Sequence, residues 1–445
     1  MSPKTARAKR RFRADYPTVT VLVLAAAVII IPNGYMGGAV DTFRLPKEML
    51  FRGAGILLLA IGAFAATARR ARWRETLATI SRVEWIVICA VAGWTAVTTL
   101  TSTNRFLSEQ SLITTLAGVS IYIATRLVAP RLTMDALAVV LAAACGNAIV
   151  VILQELHIWN PFVFPVEVEG HMHSVGLLGN PNDVGTFLVA PALAAAAAAV
   201  VVPGWRRLMY LGFTALLFAG IVASQTRTAM IAYVAAIIVA ALLRPWRQGV
   251  TVAVVLVIAA VIALRPSTPF GRHFLELVHA ARTRDYPLLF SERVVPFLSA
   301  IEMVREHPAS GVGPGCYKYE FMDTRLKLEH RYRPEWTRGW PMNFAETHND
   351  HLQVAAETGL PGYAILLSAL FVLAWPSRRR AAIADGAVAV PPQPVRRSFA
   401  HAFRAPLAAA FFVAALAQFP LQLAAPRLAF ITLAALAVGW DRADD

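Results

Sequence analysis

ETHNDHLQVAAETGLPGYAILLSALFVLAW, residues 346–375, joins two kinds of sequence without a linker between them. Its first half carries His348, His351, Asp350 and Asn349, and its second half is apolar enough to sit in lipid. Crossing the hydrocarbon core takes about 20 residues of helix. Comparable apolar blocks recur along the chain, beginning with TVTVLVLAAAVIIIP at 18–32. Of the 445 residues, 57% are hydrophobic and only 16% are charged, with a mean hydropathy of +0.55. Such a chain is an integral membrane protein built of helices, because a lipid-exposed backbone must satisfy its own polar groups.

Twelve candidate spans are expected, at roughly 17–36, 48–68, 83–101, 111–128, 133–156, 183–202, 208–224, 228–243, 249–264, 350–375, 406–424 and 427–440. Short basic connectors, ARRARWR (68–74), APR (129–131), PGWRR (203–207), RPWRQ (244–248) and SRRR (377–380), fall at alternate ends of these blocks. By the positive-inside rule that face is cytoplasmic, and with twelve spans both termini lie there. The net charge of +15 follows from these connectors and is not taken as a nucleic-acid footprint. The basic stretch 1–16 is read as a cytoplasmic tail before an uncleaved first helix. Residues 17–264 then hold helices 1–9 and 265–347 form a large loop on the outer face. Residues 348–445 hold helices 10–12, with a Pro- and Ala-rich cytoplasmic linker at about 376–405. Within the loop, residues 291–307 place Val294, Phe297, Leu298, Ile301 and Val304 at helical spacing, which predicts a short amphipathic helix. Cys89, Cys145 and Cys316 are too scattered for a disulfide framework or a CxxC metal signature.

Ionisable groups at membrane edges are costly, so their positions are informative. Arg227 lies in SQTRT, between two apolar blocks; it is either an interfacial anchor or an anion site, since a guanidinium offers phosphate a rigid fork of donors. GNPND (179–183) opens a span with the composition of a helix cap. Arg293 stands at the start of the loop helix, where a solvated surface role is the default. His348 and His351 are spaced to share a helix face, but a catalytic zinc needs a third protein ligand and no HExxH pattern is present. His348 as a base at the wet end of the helix is the sharper alternative, because imidazole titrates near neutrality. Gly359-Leu360-Pro361-Gly362 is expected to kink the helix. Tyr332, Trp336 and Trp340 are candidates for sugar stacking or for an interfacial aromatic belt.

Four segments occur in order: GLLGNPND (176–183), SQTRTAM (224–230), SERVVPFLSAIEMVREHPASGVGPGCY (291–317) and THNDHLQVAAETGLPG (347–362). Together with PK at 46–47 and STN at 102–104, they resemble the bacterial O-antigen ligase and O-antigen polymerase superfamily over nearly the whole chain. The resemblance implies an all-α membrane glycosyltransferase of the GT-C type in the inner membrane. It would take an undecaprenyl-diphosphate-linked glycan as donor and invert at the anomeric carbon, with no metal ion and no cofactor. The acceptor would be a lipid A-core sugar in a ligase, or another lipid-linked repeat in a polymerase. The layout, with one large late loop, favours the ligase. By motif, His348, Arg227 and Arg293 would be catalytic, and Asn180, Asn182, Asn349, His351 and Tyr317 would bind substrate. Membrane lipids are the expected surroundings. A twelve-helix transporter would instead show two related halves, and no internal similarity of that kind is seen.

Overall fold

The computed structural model describes residues 16–68, 75–162, 174–245, 265, 269–290, 293–331, 343–375 and 394–442. Among these residues the chain is helical, with no strand. In chain order the helices are α1 (Tyr16–Asn33), α2 (Arg44–Ala68), α3 (Arg82–Leu100), α4 (Arg105–Val128), α5 (Met134–Glu155), α6 (Pro181–Val201), α7 (Trp205–Ala223) and α8 (Arg227–Leu242). Then follow α9 (Pro269–Thr283), α10 (Tyr286–Leu289), α11 (Val294–Glu306), α12 (Tyr317–Arg331), α13 (Asp350–Ala374), α14 (Pro394–Ala415) and α15 (Ala424–Arg442). Ten of them are long and apolar enough to cross a bilayer, and α8 is a shorter apolar helix. The chain is a multi-pass membrane protein. The span expected at 249–264 lies outside the described residues.

One expected span is displaced. Instead of 406–424, the helix runs from Pro394 to Ala415, beginning inside the stretch assigned to the linker, and residues 416–423 form a turn. Gln418, Pro420 and Gln422 explain the early stop: proline has no N–H to donate, and two glutamines resist lipid. The carbonyls this turn frees are put to use at the site below.

Capping chemistry sets several helix starts. Ser81 and Glu84 form a reciprocal capping box on α3. Asn104, Asn180 and Asn349 accept N–H bonds at the starts of α4, α6 and α13. Each cap satisfies an amide that would otherwise be orphaned, worth about 1 kcal/mol. The helices at the centre are α6 and α15, whose spanning windows are 78% and 89% buried, against 17% for α2 and α3 at the lipid-facing edge. The Ala-rich run of α6, PALAAAAAAVV (191–201), keeps that centre tight, because small side chains let helix backbones approach. The extended apolar core around it includes Leu188, Ile221, Phe403 and Trp440.

Candidate functional site

The expected kink in α13 is a true break. Gly359 has φ 72° and ψ 177°, a conformation open to glycine, and a Cβ there would stand 2.4 Å from the Ala309 carbonyl oxygen. The interruption frees backbone groups, and the segment ahead of α12 pairs with them. Val312 and Gly313 donate N–H to the carbonyls of Ala356 and Glu357, each at 2.9 Å, and Leu360 donates to Pro308 at 2.9 Å. Gly311, at φ 65°, passes so close that a Cβ would lie 2.3 Å from the Glu357 carbonyl carbon. On its other side the same segment meets STN: the amide and hydroxyl of Thr103 both donate to Val312, and Ser108 donates to the Pro314 carbonyl at 2.8 Å. Three of the diagnostic motifs therefore form one clamp that fixes the polar segment on the end of α13.

The clamp grips α13 at residues 356–360 and connects to its first turn through Gln353, which donates to Glu357 at 3.2 Å; nearly every polar group in that turn is committed to structure. Thr347 donates its amide to Gln353 and its hydroxyl to the Asn349 carbonyl. Asn349 caps Leu352 and donates to the Leu416 carbonyl at 2.9 Å. Asp350, fully buried, accepts from the amide of Leu421 at 2.7 Å and from Gln422. His351 sets Nε2 2.9 Å from the Phe412 carbonyl, with its ring against Phe412 and Tyr363. The turn after α14 is thus the backing plate of the site.

His348 differs from its neighbours in backbone and in ring partners, though it shares with His351 a buried Nδ1 that has no hydrogen-bond partner among the described residues. Its backbone sits at φ 55°, a left-handed conformation that a non-glycine residue seldom adopts and that marks a site held by its surroundings. Its ring stands edge-on to Phe419 at 4.8 Å and to Phe344 at 6.0 Å. Burial, then the positive charges of Arg293 and Arg44, push its pKa down to about 3, so the imidazole is neutral at any physiological pH. Arg293 is half-buried, donates Nη1 to the Ala417 carbonyl at 2.6 Å, and is itself pushed down by burial. The rings of His348 and His351 pack on different partners, and no described group of three or more His, Cys, Asp or Glu could hold a metal ion.

Arg44, at the start of α2, is a member of the site that reading the sequence missed. Its guanidinium lies 5.5 Å from the centroid of Phe419, the ring that also packs on His348, and it pairs with Asp183 at 3.2 Å and Glu346 at 3.5 Å. Before a long apolar block, an arginine carries the signature of an interfacial anchor and nothing more. Lys47 of the PK pair is structural: its ammonium donates to the carbonyls of Gly34, Phe43 and Leu177, tying α1, α2 and the turn before α6.

The remaining expected residues separate. Arg227 is exposed at the start of α8, and the charge acting on it is Glu276 of α9, not His348. It belongs to the same end of the molecule, because the neighbouring Thr226 donates to the Pro181 carbonyl at 2.9 Å. Asn180 caps α6 and accepts from the amide of Asn182. Tyr317 is wholly buried, its hydroxyl donating to the Pro296 carbonyl and its pKa raised well above the usual value by burial, so it presents nothing to an open cavity. Tyr332, Trp336 and Trp340 lie outside the described residues.

Beside the site, an apolar cavity of about 400 Å³ opens between α3, α4, α13 and α15, lined by Val91, Trp94, Leu366, Leu370, Phe411 and Phe430. Gln422 and Arg427 stand at one end of it. Gln422 also lines a second cavity, of about 50 Å³, with Arg44 and Asp183. The apolar cavity therefore reaches the Arg44 pocket through Gln422, while His348 and Arg293 do not line it.

Residues 211–367 match the family model described as O-antigen ligase. The match covers about a third of the chain and runs from within α7, through Arg227, Arg293 and His348, to within α13. No curated protein matches the chain significantly.

Proposed function

From membership of the O-antigen ligase and polymerase superfamily, carried by residues 211–367, we propose that the chain is a GT-C-type glycosyltransferase. It moves a glycan from undecaprenyl diphosphate to an acceptor sugar, lipid A-core in the favoured reading. It sits in the inner membrane with 265–347 and the site on the periplasmic face and both termini in the cytoplasm. The observation that carries the reading is His348, held at a left-handed φ just ahead of a membrane helix with its ring on Phe419, the ring that the Arg44 guanidinium also covers.

The chemistry that follows is compact. The acceptor hydroxyl oxygen attacks the anomeric carbon as its proton passes to the imidazole of His348. The bond from that carbon to the diphosphate oxygen breaks, and the leaving group takes the electron pair. Attack from the opposite face inverts the centre. Arg293 and Arg44 act where charge accumulates, on the departing diphosphate, as preorganised donors in a site with little water to reorganise. A resting imidazole with a pKa of about 3 is a poor base; burial is the largest cause of the depression, and the positive charges of Arg293 and Arg44 add to it. The diphosphate's negative charge offsets them, so the donor itself raises the basicity of His348 in the complex. Arg227, near the same end, meets the donor further from the reacting carbon.

The test is reconstitution in lipid with a lipid-linked glycan and lipid A-core as acceptor. Transfer that persists in excess chelator is expected. No transfer with any lipid-linked donor would sink the reading. Deleting the gene separates ligase from polymerase. An uncapped core with full-length lipid-linked polymer marks the ligase, and a core capped by single repeats marks the polymerase.

A further inference from the structure

Arg44 carries two carboxylates, and they are not equivalent. Asp183 is buried, with its side chain 4% exposed, and makes a hydrogen bond to Nη2 at 3.2 Å. Glu346 is more open, 22% exposed, and touches Nη1 at the longer distance of 3.5 Å. Asp183 belongs to the rigid first turn of α6, whereas Glu346 lies in the bend that leads to His348. Burial pushes the Glu346 carboxyl upward while Arg44, and then Lys318, pull it back. Lys318 is exposed on α12, and its positive charge acts on Glu346 from outside the site.

The charge balance gives this asymmetry a purpose. Arg44 carries two carboxylates on one guanidinium, and the nearby Lys47 is committed to carbonyls, so Arg44 has no positive charge to spare while Glu346 remains on it. A diphosphate diester brings about two negative charges. With Glu346 still on Arg44, that ligand meets a site already neutralised, and the like charges repel. If Glu346 leaves for Lys318, one edge of the Arg44 guanidinium opens toward the ligand while Asp183 still holds the other edge. A planar guanidinium suits such sharing, because its donors point along two separate edges.

We propose that Arg44 is the anchoring guanidinium for the donor's diphosphate and that Glu346 is its exchangeable counter-ion, displaced toward Lys318 when the donor arrives. Asp183 is a positioning residue that keeps Arg44 beside His348 through the exchange. The inference rests on the glycosyl-transfer reading and adds to it a resting contact that sets donor affinity. Lys47, the other cation of the second cavity, cannot take this part, because its donors are already spent on carbonyls.

The experiment compares wild type, Glu346→Gln, Arg44→Gln and the double variant in nanodiscs, reading KM for the lipid-linked donor, kcat, and inhibition by inorganic diphosphate. Removing the resting carboxylate should lower donor KM and the diphosphate inhibition constant by about two- to five-fold, the range for a partly exposed ion pair. Arg44→Gln should raise both by tenfold or more, and in its background Glu346→Gln should bring no gain. Lys318→Gln removes the refuge of the displaced carboxylate and should raise donor KM; it also serves if Glu346→Gln does not fold. A Glu346→Gln enzyme with unchanged or raised KM, a gain that survives in the Arg44→Gln background, or an unaffected Lys318→Gln would each overturn the exchange. If wild type itself neither transfers glycan nor is inhibited by diphosphate, the glycosyl-transfer reading fails instead.

Discussion

The two ends of the helix bundle treat charge in opposite ways. Away from His348, Arg126 and Glu84 are both 1% exposed and 3.1 Å apart. Tyr122 donates its hydroxyl to the same Glu84 carboxylate, and Arg126 also donates to the Thr79 carbonyl. Nearby in kind, Asp441 is held by Arg404 and by His401, while Arg404 caps α13 through the carbonyls of Val372, Leu373 and Trp375. These charges are matched in sign and geometry, as buried ions must be if they are not to cost several kcal/mol each. At the His348 end the matching is incomplete. Arg293 has a carbonyl for a partner, His348 leaves Nδ1 unbonded at a left-handed φ, and Arg44 is shared between a firm and a loose carboxylate. Charge locked into buried pairs holds helices together; charge that meets only a carbonyl, or a carboxylate that can leave, is available to a ligand.

Paired substitutions test that contrast at its sharpest. His348→Ala should reduce glycan transfer by about 10²–10⁴-fold, the usual contribution of a general base, with expression and thermal stability little changed. Asp441→Ala should do the reverse. Stranding Arg404 in the interior should cost roughly 3–5 kcal/mol and show as lost expression and a lower unfolding midpoint, while the protein that does fold keeps its activity. If the two variants fail alike, the division between the ends is wrong.

Gly359→Ala should fall between them. It forces a Cβ to 2.4 Å from the Ala309 carbonyl at a φ that alanine resists, so the clamp between the break in α13 and residues 308–313 must give. Strain of about 1–3 kcal/mol is expected, with activity lost more steeply than stability because His348 is positioned by that clamp. Limited proteolysis within the polar segment would report the release.

How much of this was legible beforehand differs by kind of interaction. Apolar blocks are long and self-announcing, so most spans were placed to within a few residues, and His348 stood out as an ionisable group beside one of them, whereas Arg293 was marked only by the family motif. The end of α14 was misplaced because 416–424 is apolar enough to pass for a span, and only its pairing with Asn349, Asp350 and Arg293 shows its use as a turn. Arg44 was missed because its partners lie 139 residues or more away, at Asp183 and beyond. The clamp is invisible for a further reason. Its bonds run backbone to backbone, and the contacts from STN to Val312 span about 210 positions, so only the glycines that permit the approach leave a mark in the sequence. Asn349, His351 and Tyr317, expected from the motifs to bind substrate, here place their side chains in a helix cap and on backbone carbonyls.

The pH profile offers a finer comparison. An imidazole pushed from 6.5 to about 3 binds its proton more weakly folded than unfolded. Keeping it neutral therefore costs nothing above about pH 6.5, and the cost grows as pH falls toward 3. In the free enzyme, kcat/KM should show no inflection from His348 between pH 5 and 8, once donor ionisation is accounted for. An inflection near 6.5 that vanishes in a His348 variant would mean an open, solvated histidine, and the two ends would differ less than described.

The smallest expected effect separates the two arginines that the motifs place on an equal footing. Arg293 lies close enough to His348 to depress it, whereas Arg227 is exposed and its charge is set against Glu276 of an amphipathic helix. Arg293→Ala should therefore cut kcat by tenfold or more, because it removes charge where the leaving group forms. Arg227→Ala should act mainly on donor KM, by a fewfold, and the effect should shrink at high salt, as screened exposed charges do. Lysine in place of Arg227 should recover much of the loss, since an exposed electrostatic contact needs charge more than fork geometry. Equal losses in kcat for the two alanine variants, or no rescue by lysine, would bring Arg227 to the reacting centre. That outcome would require α8 and α9 to move together when donor binds, since Glu276 is the countercharge beside Arg227 at rest.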